Sequence, residues 1–340
     1  MRDDFGRKID YMRISITDRC NLRCRYCMPD GVKCVPMADI LTLEEYVRIA
    51  ACGALLGIRK IKVTGGEPLV RLGCSKLVGM LKETPGIEKV TITTNGILLE
   101  RYLGELVEAG IDGINISLDT LDPALYSALT GGGSLQSVLK ALECALKVCE
   151  RKAIPVKINA VSLDLEDVGA QLDCGYNGPG WQEMLWIARK YPVDVRFIEM
   201  MPVGFGKQYR SLNHEKLLHQ LQAMYPDLEK DKEIHGNGPA VYYRIPGFGG
   251  SVGFISAIHG KFCAGCNRVR LTAQGYMKSC LCYEDGEDLR QILRGNGTVE
   301  EKDEMLFAAM ERAIKGKPMA HCFEHPEMMT EYDNMVSIGG

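Results

Sequence analysis

The chain has 340 residues, 46% hydrophobic and 25% charged, with a net charge of −3. That balance suits a globular protein with one large domain and a smaller one, and gives no global attraction to nucleic acid or an anionic membrane. An anionic ligand would need a local basic patch. The N-terminal Met1-Arg2-Asp3-Asp4-Phe5-Gly6 carries no apolar run, and no stretch is long enough to cross a bilayer, so neither a signal peptide nor a span is expected.

Fourteen cysteines are many for this length. In a chain without a signal they point to metal binding in a reducing, cytoplasmic compartment rather than to disulfides. Six fall in two tight groups. Cys34, Cys52, Cys74, Cys144, Cys149, Cys174, Cys282 and Cys322 are scattered, most of them in apolar helical patterns that suit small core residues.

From 10 to about 205, strand and helix patterns alternate. Strands are predicted at Tyr11–Thr17, Lys60–Thr64, Lys89–Thr94, Gly113–Leu118, Pro155–Val161 and Val193–Glu199, each short and mostly rich in β-branched residues. Thr42, with Glu45 three residues on, predicts a capping box for a helix that turns Tyr46, Val47, Ala50 and Ala54 inward. Ser134 predicts the cap of another, with Val138, Leu142, Ala145 and Cys149 on one face. The alternation implies an α/β fold with a parallel sheet and helices outside it. Six units rather than eight favour an incomplete (β/α)6 TIM-type barrel. A second domain, 206–340, is expected to close its open side with a helix near Asn213–Met224, a linker at Lys230–Pro239, a strand-rich segment, and helices near Asp288–Arg294 and Val299–Lys315. The Gly/Pro-rich stretch 173–181 reads as a surface loop without an assigned role.

The unusual sequence falls at the carboxyl ends of the predicted strands, where barrel enzymes place their chemistry. After the first strand comes Cys20-Asn-Leu-Arg-Cys24-Arg-Tyr26-Cys27, spaced C-x3-C-x2-C. A four-iron, four-sulfur cluster usually takes four thiolates, so three leave one iron open. After the second comes Thr64-Gly65-Gly66-Glu67-Pro68, whose paired glycines allow close approach to the backbone. Thr-Asn-Gly and Ser-Leu-Asp follow the third and fourth strands. A second group, Cys263-Ala-Gly-Cys266 then Cys280, is spaced C-x2-C-x13-C; it is compatible with a second cluster or, if Cys282 joins it, with structural zinc. Cys280 and Cys282 are two apart in an extended segment, which argues against a shared site. Arg13, Lys62 and Lys157 sit on predicted strands, and Arg268 and Arg270 alternate in another. Cations aimed into a barrel suggest an anionic ligand, and arginine's planar fork suits phosphate.

The first group, with aromatic Tyr26 before its last cysteine, resembles the radical S-adenosylmethionine (SAM) superfamily. The wider run Arg13 to Pro29, the second cysteine group, the Arg268-Val-Arg270 pair and the Ser337-Ile-Gly339-Gly340 end resemble, more narrowly, the GTP 3′,8-cyclase family of molybdenum cofactor biosynthesis. That resemblance implies two 4Fe–4S clusters, one on Cys20, Cys24 and Cys27 and one on Cys263, Cys266 and Cys280. It implies SAM contacts from Tyr26, Gly66, Glu67, Ser117 and Met201. Arg13, Lys62, Thr93, Lys157, Arg268, Arg270 and the Gly339–Gly340 tail match GTP-contacting positions, with lysine at 62 where arginine is common. A flavodoxin or ferredoxin reductant and a downstream cyclic pyranopterin monophosphate synthase are further implied. The sequence leaves a homodimer open. It also leaves two other readings: a peptide-modifying radical SAM enzyme with an auxiliary cluster, and a non-catalytic zinc-binding interaction protein.

Overall fold

The structure is a computed structural model and describes residues 1–31 and 35–338. Cys34, Gly339 and Gly340, singled out above, lie outside the described residues. Twelve strands form one open sheet. Six of them, β1 (Tyr11–Ser15), β2 (Lys60–Thr64), β3 (Lys89–Thr94), β4 (Ile114–Ser117), β5 (Val156–Val161) and β6 (Asp194–Ile198), are parallel and adjacent in chain order. They are the six predicted strands, shorter by up to two residues at their ends. The incomplete α/β barrel expected from the sequence is therefore present.

The later part of the chain does more than cover an opening. Its strands β7 (Glu229–Lys230), β8 (Val241–Arg244), β9 (Val252–Ile255), β10 (Arg268–Leu271), β11 (Tyr276–Lys278) and β12 (Gly286–Asp288) extend the sheet at both edges. β9 adds parallel to β6, and β10 adds parallel to β1. The remaining four pair antiparallel outside them.

Outside the sheet stand α1 (Leu43–Leu55), α2 (Cys74–Lys82), α3 (Leu99–Glu108), α4 (Pro123–Thr130), α5 (Leu135–Glu150), α6 (Leu165–Gln171) and α7 (Leu185–Lys190); α8 (His214–Met224), α9 (Leu289–Arg294) and α10 (Val299–Lys315) follow. α1 starts with the expected capping box between Thr42 and Glu45, and Ser134 caps α5 through the Ser137 amide.

The strands alternate strictly, and this decides where chemistry can occur. Met12, Ile14, Ile61, Val63, Val90, Ile92, Ile158 and Val195 face the helices and are at most 1% exposed. A strand's side chains alternate faces, so Tyr11, Arg13, Lys62, Thr93, Asn115, Lys157 and Arg196 face the other way, into the lumen. Parallel sheets covered on both faces by apolar layers read as continuous hydrophobic runs. Here the inner face is polar and cationic instead, because it lines a cavity.

Candidate active site

At the carboxyl end of the sheet, Cys20, Cys24 and Cys27 line one cavity with Tyr26, Gly65, Gly66, Glu67, Thr93, Asn95 and Ser117. β1 leaves the sheet at Ser15, and the loop that follows carries the three thiols. That loop is held by the turn after β2: the Gly66 amide donates to Thr17 O at 2.8 Å and the Glu67 amide to Arg19 O at 2.8 Å. A Cβ on Gly66 would lie 2.4 Å from Arg19 O, and one on Gly65 2.7 Å from Thr17 O. The glycines are therefore required by the cysteine loop packed against them, besides lining the cavity.

Glu67 is 1% exposed and its carboxylate is engaged by the protein. It accepts from the Leu69 amide at 3.0 Å, the Thr94 hydroxyl at 2.7 Å and the Asn95 amide at 2.7 Å. Burial pushes its pKa up to about 7 against those donors. Tyr26 donates its hydroxyl to Asp119 Oδ2 at 2.7 Å, fixing the ring between two of the cysteines. Asn95, from the Thr-Asn-Gly that ends the third strand, donates to Asn21 Oδ1 at 2.8 Å and points at the Cys20 sulfur at 3.8 Å. Burial holds the Cys24 thiol well above its usual range and pushes Cys27 up to about 12. Thiols so placed stay protonated until a metal displaces the proton. Met335 and Val336 line the cavity, so the C-terminal segment reaches this loop.

A second cavity opens toward the amino ends of the strands. Its lining includes Arg13, Lys62, Lys157, Arg196 and Arg268. Arg13 and Thr93 line both cavities, so the two meet inside the barrel. Burial, reinforced by Arg196, Arg13, Arg268 and Lys157, pushes the Lys62 ammonium well below the ordinary lysine range. Arg13 is lowered by burial and by Arg268 and Arg196. Arg270 is buried beside them and lowered in the same way. Arg196 is the member that sequence reasoning missed; it donates to Asn159 Oδ1 at 2.6 Å and to Asn115. The signal was available, since Arg196 occupies an inward position of a predicted strand.

Lys157 is partly neutralised. Its Nζ lies 2.5 Å from Asp194 Oδ2 and also donates to His235 O. His235 stacks on Tyr242, with ring centroids 4.2 Å apart, and bonds Asp194 and Asp231 through its two nitrogens. The 230–239 stretch, read from the sequence as a linker, thus forms a wall of the cation-lined cavity, because its Gly/Asn/Pro chemistry lets it fold back over the strand ends.

The second cysteine group lies at the amino end of the sheet. Cys263 and Cys266 immediately precede β10, and Cys280 follows β11, which runs antiparallel to β10. Since β10 is parallel to β1, this group and the Cys20 loop sit at opposite ends of the same strand pair. Arg268 stands between them, its guanidinium over Tyr11 at 5.8 Å and over Phe262 at 5.3 Å. Burial works upward on the Cys266 thiol, but Lys317 and Arg268 outweigh it and hold the thiol below its usual range. Among the described residues, one group of three potential ligand atoms lies within 4.8 Å of one another, on Asp231, Glu233 and His235; neither cysteine trio does.

Of the other expected residues, Ser117 lines the first cavity. Met201 packs into an apolar cluster with Val203, Cys282, Phe323 and Ile338 and is not in the lining. The Cys282 sulfur lies 3.2 Å from that of Cys322. Arg7, unremarked in the sequence, pairs with Asp3 at 2.6 Å and donates to the carbonyls of Cys263, Lys317, Pro318 and Met319.

Comparison with known proteins identifies the family. The Radical SAM superfamily matches residues 14–167, and the family described as Molybdenum Cofactor Synthesis C matches 193–323. A GTP 3′,8-cyclase of Clostridium perfringens (strain SM101 / Type A) is 40% identical over 100% of both chains. One from Peptoclostridium acidaminophilum is 41% identical over 99% of this chain and 98% of its own. Among solved structures, Streptococcus suis SuiB bound to S-adenosylmethionine superposes with a TM-score of 0.59 at 14% identity, covering 97% of this chain and 77% of SuiB. At that identity the likeness to SuiB speaks for the fold alone.

Proposed function

The chain belongs to the GTP 3′,8-cyclase family of radical SAM enzymes, and from that premise we propose the following reading of its site. The protein converts GTP to (8S)-3′,8-cyclo-7,8-dihydro-GTP, the first step of molybdenum cofactor biosynthesis. The observation that carries this reading is the junction at Arg13 and Thr93, where a three-thiol cavity meets a cavity lined by six lysines and arginines.

The donor sets fit the groups the reaction needs. Cys20, Cys24 and Cys27 supply three thiolates on a cavity wall, which suits a 4Fe–4S cluster with one iron open to SAM. Cys263, Cys266 and Cys280 suit a second such cluster at the far end, facing the purine. When bound, the first cluster would supply one electron to SAM, and SAM the radical that takes the ribose C3′ hydrogen; once C3′ joins guanine C8, a further electron from the reductant and a proton would complete the 7,8-dihydro ring.

The chain's own part is placement. Arg13, Lys62, Lys157, Arg196, Arg268 and Arg270 hold the triphosphate and balance its charge. Asp194 aims Lys157 into the lumen. Gly66, Glu67, Tyr26 and Ser117 form the SAM side, with Glu67 acting on the turn rather than as a free carboxylate. Thr93 sits where the two ligands meet. Met28 and Val336 wall off the thiol cavity from water, and a substrate role is proposed for Gly339 and Gly340 from the family resemblance alone. Holding the reacting atoms in one geometry is the main protein contribution, since a misplaced radical attacks its nearest neighbour.

Flavodoxin or ferredoxin is the proposed reductant, cyclic pyranopterin monophosphate synthase the next enzyme, and the cytoplasm the compartment; residues 1–205 and 206–340 are the proposed units. No helix among the described residues is long and apolar enough to cross a membrane. The test is anaerobic incubation of reduced, reconstituted protein with SAM and GTP. The expected result is 5′-deoxyadenosine together with a GTP-derived 3′,8-cyclised product. SAM cleavage that depends on a peptide and not on GTP would overturn the reading in favour of peptide modification. A colourless protein holding zinc and no iron would overturn it in favour of a binding protein.

A further inference from the structure

Cys282 and Cys322 meet although 40 positions separate them. Their sulfurs are 3.2 Å apart, and the Cys322 amide donates to the Cys282 sulfur at 3.2 Å. Both are free thiols; Cys282 is fully buried and Cys322 half-buried. The two segments are also tied by backbone and side-chain bonds, from Tyr283 Oη to Ala320 O at 3.1 Å and from the Glu331 amide to Cys282 O at 3.3 Å. A disulfide needs a sulfur separation of about 2.05 Å, so closure requires the sulfurs to approach by roughly 1 Å, within the reach of small χ adjustments.

We infer that Cys282 and Cys322 form an oxidisable dithiol, a modification site separate from both cysteine trios, which closes to a disulfide on exposure to a low-molecular-weight disulfide. The half-buried Cys322 sulfur attacks one sulfur of the reagent and releases a first thiol. The Cys282 sulfur then displaces the second from Cys322. The S–S bond of the reagent breaks and one forms in the protein. Two electrons and two protons pass from the protein to the two released thiols.

The bond would clip the start of the C-terminal segment to the connection between β11 and β12. That segment continues to Met335 and Ile338, which pack on the same apolar cluster as the two cysteines, and to Val336, which lines the cavity of the first cysteine trio. It also gives Cys282 a partner other than Cys280, two residues away.

The experiment treats anaerobic, iron-loaded protein with oxidised glutathione, alkylates the remaining thiols, digests without reduction and maps the peptides. The expected result is a Cys282–Cys322 cross-linked peptide reversed by dithiothreitol, with iron per chain unchanged and a melting temperature raised by several degrees. In Cys322→Ser, Cys282 should stay reduced and the thermal shift should vanish. Full alkylation of both thiols, a glutathione adduct stalled on Cys322, or linkage of Cys282 to Cys280 or Cys266 would each overturn the inference. None of these readouts depends on GTP turnover, so they stand apart from the proposed activity.

Discussion

Arg13 lies directly beside Arg270 in the parallel register of β1 and β10, as Tyr11 lies beside Arg268. Like charges on neighbouring strands destabilise a sheet. Lys62, one strand over from Arg13 in register, adds to the same cluster. The fold therefore carries a concentration of positive charge that costs stability, and a bound triphosphate would offset that cost.

Lys62→Met tests the point from two sides. It removes an amine whose charged form is disfavoured by burial and by the neighbouring cations, so the substrate-free protein should melt a few degrees higher. It also removes a charged hydrogen bond worth about 1.5–3 kcal/mol, so the Kd for GTP should rise roughly 10–100-fold. Calorimetric titration and thermal denaturation read the two effects. An unchanged GTP affinity would exclude Lys62 from the phosphate site.

The depressed pKa of Lys62 makes GTP binding pH-dependent, and the sign follows from its cause. Burial and neighbouring cations favour neutral Lys62 in the free protein. A bound phosphate favours the charged form. Between the depressed value and the ordinary lysine value near 10.4, binding must take up a proton, so affinity falls as pH rises through that window. Titration in two buffers of different ionisation enthalpy should show proton uptake, and Lys62→Met should abolish it.

Arg7 bonds four carbonyls beside the second cysteine group and pairs with Asp3. Arg7→Ala withdraws the guanidinium from those carbonyls and from the Asp3 carboxylate, which keeps only backbone amide donors. Loss of iron from the second site, with the first retained, is the expected outcome. Iron analysis and absorbance at the cluster bands check it; equal loss from both sites would show a general unfolding instead.

Glu67 accepts three hydrogen bonds while buried. Glu67→Ala should lower stability by about 2–4 kcal/mol and weaken SAM binding through the displaced cysteine loop. Glu67→Gln retains two acceptor contacts and sets an amide against the Asn95 N–H, so its effect should be smaller. Urea denaturation and SAM titration separate the variants.

Two triple-alanine variants, one per cysteine group, test the number of clusters. Two 4Fe–4S clusters give roughly eight irons per chain, and each variant should lose about half. If one variant keeps all the iron, a single cluster is present.

The local parts of this site were legible because their signals are local. β-branched alternation marked β1 to β6, Thr42 and Ser134 marked two helix starts, and the spacing of Cys20, Cys24 and Cys27 marked a three-thiol loop. The paired glycines were legible as a tight turn, yet their steric reason was not, since Arg19 O and Thr17 O approach from another strand's loop. The stretch 230–239 has the composition of a connection, and only its return across the strand ends makes it a cavity wall.

By itself the sequence determined the strand order of the half-barrel, the inward alternation of its cations and the two cysteine triplets, because periods of two and short spacings are properties of a continuous segment. Tertiary structure alone decided that β10 joins β1 in parallel, which sets the two triplets at opposite ends of one lumen. It also brought Arg196 into the cation cluster and Cys322 onto Cys282. Those relations depend on how distant segments pack, and packing is fixed by the whole core rather than by any stretch of it.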